Sequence, residues 1–394
     1  MITRVRVKNF KSLADVDVTL GPLTALVGRN GAGKSAFLDC LRFLKEAAKD
    51  LDKAITSRGG FNHICKRSSL PSEGFEIRIN VEEFDEDYEY FVQIASESEQ
   101  NWFVAAEGLI LTAHGQSPEI LFDRNDTDIA LKAPEFRYPI PASKMANLLE
   151  PQQLYLTTHR GMPECRALYY SILGIFFSNV ASDALRPPQL VQQYKVMNEQ
   201  GSNLASVLKQ IEQNEKIFRP LLVDLQHLIP GITDLKVEAL GSDYLLIRLK
   251  HTQENGREEW FDLSQESDGT IRALALLASV HSMPDASFTA SRLLAIGEPE
   301  LALYPDGLGL ISDILRGASL KNQILFTTQS PDLIAHLGAD ELRIVENKNG
   351  ATSIGPLAAS QRQALEEQLF NAGDLLRIEG LYTAPIIVPD LVNA

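Results

Sequence analysis

The chain has 394 residues, enough for one large or two medium domains with buried cores. Hydrophobic residues make up 44% of the sequence and charged residues 23%, which is the balance of a globular protein. The formal net charge of −15 excludes a protein that binds nucleic-acid phosphates over its general surface, although a local basic groove is compatible with it. Cys40, Cys65 and Cys165 lie far apart, which argues against a disulfide framework or a zinc site and fits a reducing cytoplasm.

The sequence carries no sign of a secretory or membrane segment. Arg4, Arg6, Lys8 and Lys11 occupy the stretch in which a signal peptide would begin its apolar region. The most apolar helix-like run, residues 167–181, is too short to span a bilayer and contains small polar residues. We therefore predict a cytoplasmic protein without membrane contact, in which residues 167–181 form a buried helix.

The first 27 residues predict two strands with a connection at residues 8–12. Strand alternation puts Ile2, Arg4, Arg6 and Lys8 on one face of the first strand. A solvated edge is the simpler explanation of this basic face, and a nucleic-acid contact is the alternative.

The octapeptide from Gly28 to Ser35 reads G-R-N-G-A-G-K-S and matches the phosphate-loop pattern G-x-x-x-x-G-K-[ST]. It follows the apolar run Leu23–Val27 and precedes apolar residues at helical spacing, so it joins a strand to a helix. In this context backbone N–H groups turn towards phosphates, Lys34 adds a positive charge, and the Ser35 hydroxyl can ligate Mg²⁺. An ordinary strand-to-helix turn is the alternative. The predicted binding residues are Arg29, Asn30, Gly31, Ala32, Gly33, Lys34 and Ser35.

The middle of the chain changes from strand to helix patterns. Alternation predicts strands at residues 75–81, 88–94 and 102–111, separated by acidic turns that we expect to be solvated loops and not metal sites. Residues 141–229 read as helical, with one apolar stripe over residues 204–218 and cap candidates at Ser202 and Asn203. Strand patterns return at residues 235–237 and 244–249.

Three further motifs follow. L-S-Q-E-S-D-G-T at residues 263–270 precedes a helical pattern, and a small, polar helix start can bind an anion. An apolar strand at residues 293–296 runs into Gly297-Glu298-Pro299-Glu300, where a carboxylate could orient an attacking water. Another apolar strand ends in T-T-Q-S-P at residues 327–331. Each motif alone can be an ordinary element end, but their order and spacing together are specific.

Together these motifs resemble the ABC-type ATPases of the RecF, SMC and OLD kind. The resemblance is closer to compact bacterial AAA-family ATPases, whose motifs read S-D-G-T, E-P-E and T-T-[HQ]-S-P. It runs over residues 1–345 and includes the opening N-F-K-S at residues 9–12. The fold class that it implies is α/β: a P-loop NTPase with an ABC-type head, in which a mixed sheet is flanked by helices and joined by an antiparallel β subdomain and an α-helical insertion.

The resemblance also implies roles for individual residues. Lys34 and Ser35 would bind phosphate and Mg²⁺, while Ser267, Asp268 and Gly269 would contact the γ-phosphate of ATP held by a second subunit. Glu298 takes the place of the catalytic glutamate, and Gln329 that of the switch histidine.

The sequence departs from the family pattern at two of these positions. Gly297 stands where a Walker B aspartate is usual, and Gln329 cannot accept a proton from water at neutral pH. We therefore expect slow hydrolysis. Gln152 and Gln153 are candidates for the glutamine that senses Mg²⁺ in such ATPases.

These motifs divide the chain into four predicted segments. Residues 1–140 form ATPase lobe I with the phosphate loop and the β subdomain, and residues 141–234 form the helical insertion. Residues 235–345 complete the ATPase with the signature, Walker B and switch motifs, and residues 346–394 are a C-terminal extension. Lytic relatives carry a TOPRIM nuclease after the ATPase, which we do not expect here. Glu346-Asn347-Lys348 looks like a nuclease E-x-K motif but precedes Gly350 at a predicted hairpin turn.

The function that the resemblance implies is an ATP-dependent molecular switch. We expect a homodimer that closes around two ATP molecules and acts on a separately encoded effector, which could be a nuclease, in bacterial defence against phage. The alternative is a RecF-like ATPase that binds DNA ends in repair, against which the acidic net charge counts. A transporter ATPase is disfavoured because its signature would read L-S-G-G-Q.

Overall fold

The computed structural model describes residues 1–66, 74–83, 86–98, 101–113, 115–125, 129–131, 150–193, 196–253, 256–284, 292–301 and 307–384. Within these ranges the strands are β1 (Ile2–Phe10), β2 (Leu13–Thr19), β3 (Leu23–Val27), β4 (Phe75–Glu83), β5 (Glu86–Ser98), β6 (Asn101–Ala113), β7 (Glu119–Asn125), β8 (Ile129–Leu131), β9 (Ile175–Ser178), β10 (Gln189–Leu190), β11 (Ile232–Leu240), β12 (Tyr244–Thr252), β13 (Glu258–Asp262), β14 (Leu293–Gly297), β15 (Gln323–Thr328), β16 (Leu342–Lys348) and β17 (Ala351–Gly355). The helices are α1 (Lys34–Ala47), α2 (Leu51–Thr56), α3 (Phe61–Ile64), α4 (Tyr155–Thr158), α5 (Pro163–Leu173), α6 (Ser182–Leu185), α7 (Leu204–Glu212), α8 (Glu215–Leu228), α9 (Asp268–His281), α10 (Leu308–Ser319), α11 (Pro331–Ile334), α12 (Ala359–Glu366) and α13 (Ala372–Ile378).

The chain forms two compact units. The first contains the described residues of Met1–Ile175, Phe288–Arg292 and Gly338–Ala394, and the second those of Phe176–Ser287 and Leu293–Leu337. The strand order in the first unit is β8-β7-β6-β5-β4-β1-β2-β17-β16-β3. The hairpin β16–β17 thus enters the sheet between β2 and β3, and β16 pairs in parallel with β3. The predicted start of a C-terminal extension at residue 346 falls inside β16.

An aromatic cluster attaches α1 to this sheet. Phe43 of α1 lies 5.7 Å from Phe10 of β1 and 5.4 Å from Phe75 of β4, measured between ring centroids. Phe61 of α3 joins the cluster at 5.8 Å from Phe75. Buried aromatic pairs at these separations add to the free energy of folding beyond the area that they bury. The helix that begins at the phosphate loop therefore has a fixed position on the strands.

Polar contacts hold the start of the chain and the end of α2 against α1. Asp39 of α1 accepts hydrogen bonds from Arg58 at 3.0 and 3.1 Å, and its Oδ2 lies 2.7 Å from Lys11 Nζ. Burial alone would raise the pKa of Asp39, but the bonds from Arg58 and Lys11 outweigh it and lower that pKa. The helical spacing that follows the loop corresponds to two helices, because α1 ends at Ala47 and Asp50 caps α2 through a bond from Lys53 N.

The basic face predicted on β1 is ion-paired. Arg4 pairs with Asp17, and Arg6 Nη2 lies 2.9 Å from Glu89 Oε2. Ile2 does not share this face as predicted. The β1–β4 register shifts between Ile2 and Arg4, so Ile2 is buried while Arg4 is exposed.

Strands β4–β8 form an antiparallel meander, which confirms the three strands predicted between residues 75 and 111.

A fully buried glutamate holds α4 against this meander. Glu107 on β6 accepts hydrogen bonds from the backbone N–H groups of Tyr155 and Leu156 at 2.6 and 3.0 Å, and from the Tyr90 hydroxyl at 3.0 Å. Burial raises the pKa of Glu107. These bonds satisfy donors that the start of a helix leaves without intrahelical partners.

In the second unit, β14 pairs in parallel with β15 from Leu293↔Gln323 to Gly297↔Thr327, and β9 lies on the other side of β14. Both strands are almost completely buried, as continuous apolar runs in a parallel sheet usually are. The strands predicted from these runs are confirmed. Their carboxyl ends meet at one edge, which brings the Glu298 and Gln329 segments together.

The rest of the second unit packs helices on an antiparallel sheet of β10, β12 and β11, with β13 also paired to β12. The stripe predicted over residues 204–218 is divided between α7 and α8 and not carried by one helix. Asn203 is the N-cap residue of α7, but its Oδ1 accepts from Asn198 N and makes no cap bond.

The buried helix predicted over residues 167–181 is only partly correct. Helix α5 ends at Leu173 with Gly174 as its C-cap, and the apolar residues that follow form β9. A continuous apolar run does not distinguish a buried helix from a buried strand, because neither has a polar face. Among the described residues, no helix is both long and apolar enough to cross a bilayer.

Candidate functional site

The predicted phosphate loop connects β3 to α1 in the first unit. Its residues Arg29, Asn30 and Gly31 are exposed, while Ala32 is buried. Gly31 and Gly33 have φ angles of 75° and 115°, a region that residues with a side chain rarely adopt. Gly33 is the N-cap of α1, which begins at Lys34. The backbone therefore makes the turn that directs a helix N-terminus at the loop, which is an anion-binding arrangement.

Lys34 lies across the loop. Its side chain is buried, and Nζ donates to the carbonyl oxygens of Gly28 at 2.6 Å and Arg29 at 3.2 Å. A buried ammonium held by carbonyl groups is a ready partner for a phosphate that enters the loop. Ser35 follows in the first turn of α1 and is exposed, so its hydroxyl can ligate a hard cation held against those phosphates.

Thr352 of β17 packs against the predicted phosphate loop. Its Oγ1 lies 2.9 Å from the Ala32 carbonyl oxygen and 2.9 Å from Ser12 Oγ. A Cβ on Gly33 would come within 2.1 Å of the same Oγ1, so only glycine fits here. The loop is thus in contact with a strand from the far end of the sequence, and the sequence analysis did not include Thr352.

A pocket of about 420 Å³ lies in the same unit. Ser12 lines it, and Ser12 is also the residue that contacts Thr352 beneath the loop. The pocket wall is rich in hydrogen-bonding groups and in cationic side chains. The lining residues are Lys11, Ser12, Asn62, His63, Cys65, Lys66, Asn349 and Gly350.

The signature motif begins a helix, as predicted. Ser267 is the N-cap of α9, and its Oγ accepts from Thr270 N at 3.1 Å. Ser267 and Asp268 are exposed, and Gly269 is partly exposed. Arg186 donates three hydrogen bonds to this segment, and no sequence motif indicates this residue because it lies about eighty residues earlier.

Glu298 directly follows β14 and has a φ of 44°, in the left-handed region. Its backbone N–H donates to the Thr327 carbonyl oxygen at 3.0 Å, which fixes it against the end of β15. A non-glycine residue in this conformation costs about 1 kcal/mol or more, and such strain is concentrated at functional sites.

Glu300 links the two strand ends. Its Oε1 accepts from the Thr328 hydroxyl at 2.6 Å and from the Gln329 backbone N–H at 3.2 Å, while the buried Oε2 has no hydrogen-bond partner among the described residues. Burial raises the pKa of Glu300, and the nearby charge of Glu298 adds to the rise. Gln329 itself is exposed.

Gly297, at the position of the usual Walker B aspartate, has room for a side chain. A Cβ there would lie 3.6 Å from Asn179 Oδ1, an ordinary contact. The first carboxylate after β14 is therefore Glu298. Of the candidate glutamines, Gln152 donates through Nε2 to the Trp102 carbonyl oxygen at 3.3 Å, and both Gln152 and Gln153 are exposed.

The sequence matches the family described as "AAA domain, putative AbiEii toxin, Type IV TA system" over residues 23–335. The chain belongs to this family. The match includes the phosphate loop, the signature and both strand-end motifs, so the protein is an AAA/ABC-type ATPase, as the motifs predicted.

The chain is also similar to one curated protein over a short stretch and to solved structures over most of its length. An OLD nuclease of Thermus scotoductus is 60% identical over 38 residues, which are 10% of this chain and 7% of that protein. The SMC head bound to the C-winged helix domain of ScpA aligns with a TM-score of 0.54 and 14% identity, covering 91% of this chain and 99% of that one. The SMC head domain from Thermotoga maritima aligns with a TM-score of 0.44 and 13% identity, covering 90% of this chain and 98% of that one. The fold is thus that of a P-loop ABC-type head, which confirms the predicted fold class.

Proposed function

We propose that the protein binds ATP with Mg²⁺, hydrolyses it slowly, and uses the change of state to switch a partner. The observation that carries this proposal is the loop that presents Lys34 and a helix N-terminus to an anion. Binding would exchange the Lys34 bonds to Gly28 and Arg29 for bonds to the β- and γ-phosphates.

The nucleoside is proposed to occupy the pocket lined by Ser12, Asn62 and His63. Its wall combines apolar surface with hydrogen-bonding side chains, which suits a base and a ribose, and Ser12 connects it through Thr352 to the loop carbonyl of Ala32. Asn62→Ala should weaken the binding of ATP more than that of inorganic triphosphate, which lacks the nucleoside. If Asn62→Ala weakens the binding of ATP and of inorganic triphosphate equally, the nucleoside does not bind in this pocket.

Hydrolysis is proposed to depend on Glu298 and Gln329. Glu298 would orient the attacking water, and the Gln329 amide would hydrogen-bond that water or the γ-phosphate without accepting a proton. Mg²⁺ bound at Ser35 would supply charge neutralisation for the outer phosphates. Gly297 offers this cation no carboxylate, which supports a slow rate.

The active unit is proposed to be a homodimer in which each ATP meets the phosphate loop of one chain and Ser267, Asp268 and Gly269 of the other. Lys34→Ala and Ser267→Arg chains should each be inactive, the first through lost phosphate binding and the second through blocked closure. Mixed, they form heterodimers with one complete site and one site that combines both defects. ATPase activity should return to about half of the wild-type rate per heterodimer if the two sites act independently.

If size measurements detect heterodimers and no activity returns, the composite site is wrong. Full activity of either variant alone would contradict the assignment of its residue.

The partner is proposed to be a separately encoded effector, with a nuclease in bacterial anti-phage defence as the first candidate. Support comes from the family description, which names a toxin, and from the similar head that is bound to a domain of another protein. Proteins that co-purify with the Glu298→Gln chain in ATP but not without nucleotide would identify the effector. A RecF-like DNA role has less support, because Arg4 and Arg6 already pair with Asp17 and Glu89.

A further inference from the structure

Arg186 contacts the signature motif at three points. Its Nη1 donates to the carbonyl oxygens of Ser264 at 3.1 Å and Glu266 at 2.8 Å, and its Nη2 donates to Asp268 Oδ1 at 2.5 Å. The Arg186 side chain is 29% exposed, and Arg186 is the C-cap residue of the short helix α6. One guanidinium thus spans the whole turn that leads into α9.

These contacts determine the shape of the turn. The carbonyl groups of Ser264 and Glu266 precede α9 and both accept from Nη1, while Nη2 of the same planar, pre-organised guanidinium reaches Asp268. Lysine could not reproduce this geometry, because its ammonium is a single point of charge. Without Arg186 the turn that carries Ser267 would lose its main side-chain constraint.

The third contact concerns charge. Asp268 is the first residue of α9, where the positive end of the helix dipole also favours a phosphate. The hydrogen bond from Arg186, followed by one from Ser182, lowers the pKa of Asp268, so the group stays a carboxylate. An uncompensated carboxylate here would repel a triphosphate, and Arg186 offsets it.

We propose that Arg186 is a positioning residue of the signature motif, which holds residues 264–268 in the shape and charge balance needed to engage ATP on a second copy of the chain. This proposal rests on the composite dimer proposed above. It assigns a role to a residue far from every sequence motif.

The test uses full-length Arg186→Ala with Arg219→Ala as control, since Arg219 forms an exposed ion pair with Glu215 in the same unit. Arg186→Ala should lower ATPase activity about tenfold or more, because charge-assisted hydrogen bonds are lost. Binding of a fluorescent ATP analogue to the single chain should not change. Arg219→Ala should retain wild-type activity.

Mixing then identifies the defective half of the site. Arg186→Ala should be complemented by Lys34→Ala, which supplies an intact signature, but not by Ser267→Arg, which has a damaged one. If mixing Lys34→Ala with Ser267→Arg restores ATPase activity while mixing Lys34→Ala with Arg186→Ala does not, the role proposed for Arg186 is wrong and the composite dimer is supported. If neither mixture recovers activity, both the composite dimer and the role of Arg186 are wrong.

Two further variants separate positioning from general damage to the fold. Arg186→Lys keeps the charge and should recover only part of the activity, and it replaces Arg186→Ala in the mixing test if that chain melts early. In the Arg186→Ala background, Asp268→Asn should restore some activity by removing the uncompensated carboxylate. Activity within twofold of wild type for Arg186→Ala, or no effect of Asp268→Asn in that background, would overturn the proposal.

Discussion

The Gln329 backbone N–H donates to Glu300 Oε1 at 3.2 Å, and the same oxygen accepts from the neighbouring Thr328 hydroxyl at 2.6 Å. Glu300 therefore holds the segment that carries the proposed switch amide at the end of β15. Within the part of the chain that the structure describes, the buried Oε2 makes no hydrogen bond, so the contacts of this carboxylate all go to the end of β15.

Glu300→Ala should lower kcat by roughly tenfold to a hundredfold, the equivalent of about 1.5–3 kcal/mol for hydrogen bonds to a charged group. KM for ATP should change little, because Glu300 orients the switch segment and is not predicted to touch the nucleotide. Steady-state kinetics measure both values. Glu215→Ala, which removes an exposed carboxylate, is the control. A rise in KM at constant kcat would indicate instead that Glu300 contributes to ATP binding.

How far the sequence could predict this arrangement depends on the range of each contact. Apolar runs predicted β3, β14 and β15 because burial on both faces is visible within five or six residues. The Glu300–Gln329 bond joins residues 29 positions apart, and Thr352 contacts a loop 320 residues earlier. No local pattern encodes such pairings.

The backbone conformation of Glu298 could not be predicted from the sequence either. Nothing in G-E-P-E indicates that Glu298 adopts a positive φ, since that conformation follows from its bond to the end of β15. The role predicted for this residue rests on the motif alone, because a carboxylate at the end of a buried strand can orient an attacking water.

Gly33→Ala should abolish ATP binding, whereas Gly31→Ala should only weaken it. Both residues have positive φ, so either substitution adds about 1–2 kcal/mol of backbone strain. A Cβ on Gly33 would also collide with Thr352, whereas a Cβ on Gly31 would have no described atom within 4 Å beyond its chain neighbours. Isothermal titration with ATP distinguishes the two variants. Equal affinities would mean that Thr352 moves aside and does not constrain the loop.

Glu298→Gln should leave ATP binding intact and slow hydrolysis, because it keeps the shape of the side chain but removes the charge that orients water. The ATP-bound dimer should then accumulate and be visible by light scattering. Unchanged turnover would transfer the role to another group, with Glu300 as the first candidate.

Asp39→Asn should lower the free energy of unfolding by about 1.5–3 kcal/mol near neutral pH, since it removes an acceptor for Arg58 and Lys11. The folded pKa of Asp39 is below its ordinary value of 3.8, so its stabilisation is complete above that value and is lost as the pH falls through the folded pKa. In urea denaturation, the free energies of unfolding of the wild type and the variant should therefore become equal only below pH 3.8. Asp52→Asn, an exposed carboxylate on α2, should give a smaller loss.

Gly297→Asp adds the carboxylate that the usual Walker B sequence carries. The structure accommodates it, because a Cβ would meet Asn179 at 3.6 Å and no backbone atom closer than 4.0 Å. If this missing charge limits Mg²⁺ binding, the variant should reach half-maximal ATPase activity at a lower Mg²⁺ concentration, since an added anionic oxygen stabilises the cation and its water shell. A Mg²⁺ titration at saturating ATP measures this concentration, and Gly297→Asn is the matched control because it adds similar volume without charge. An unchanged or higher Mg²⁺ requirement in Gly297→Asp would mean that the surrounding residues are adapted to glycine, and the slow rate would then have to come from Gln329.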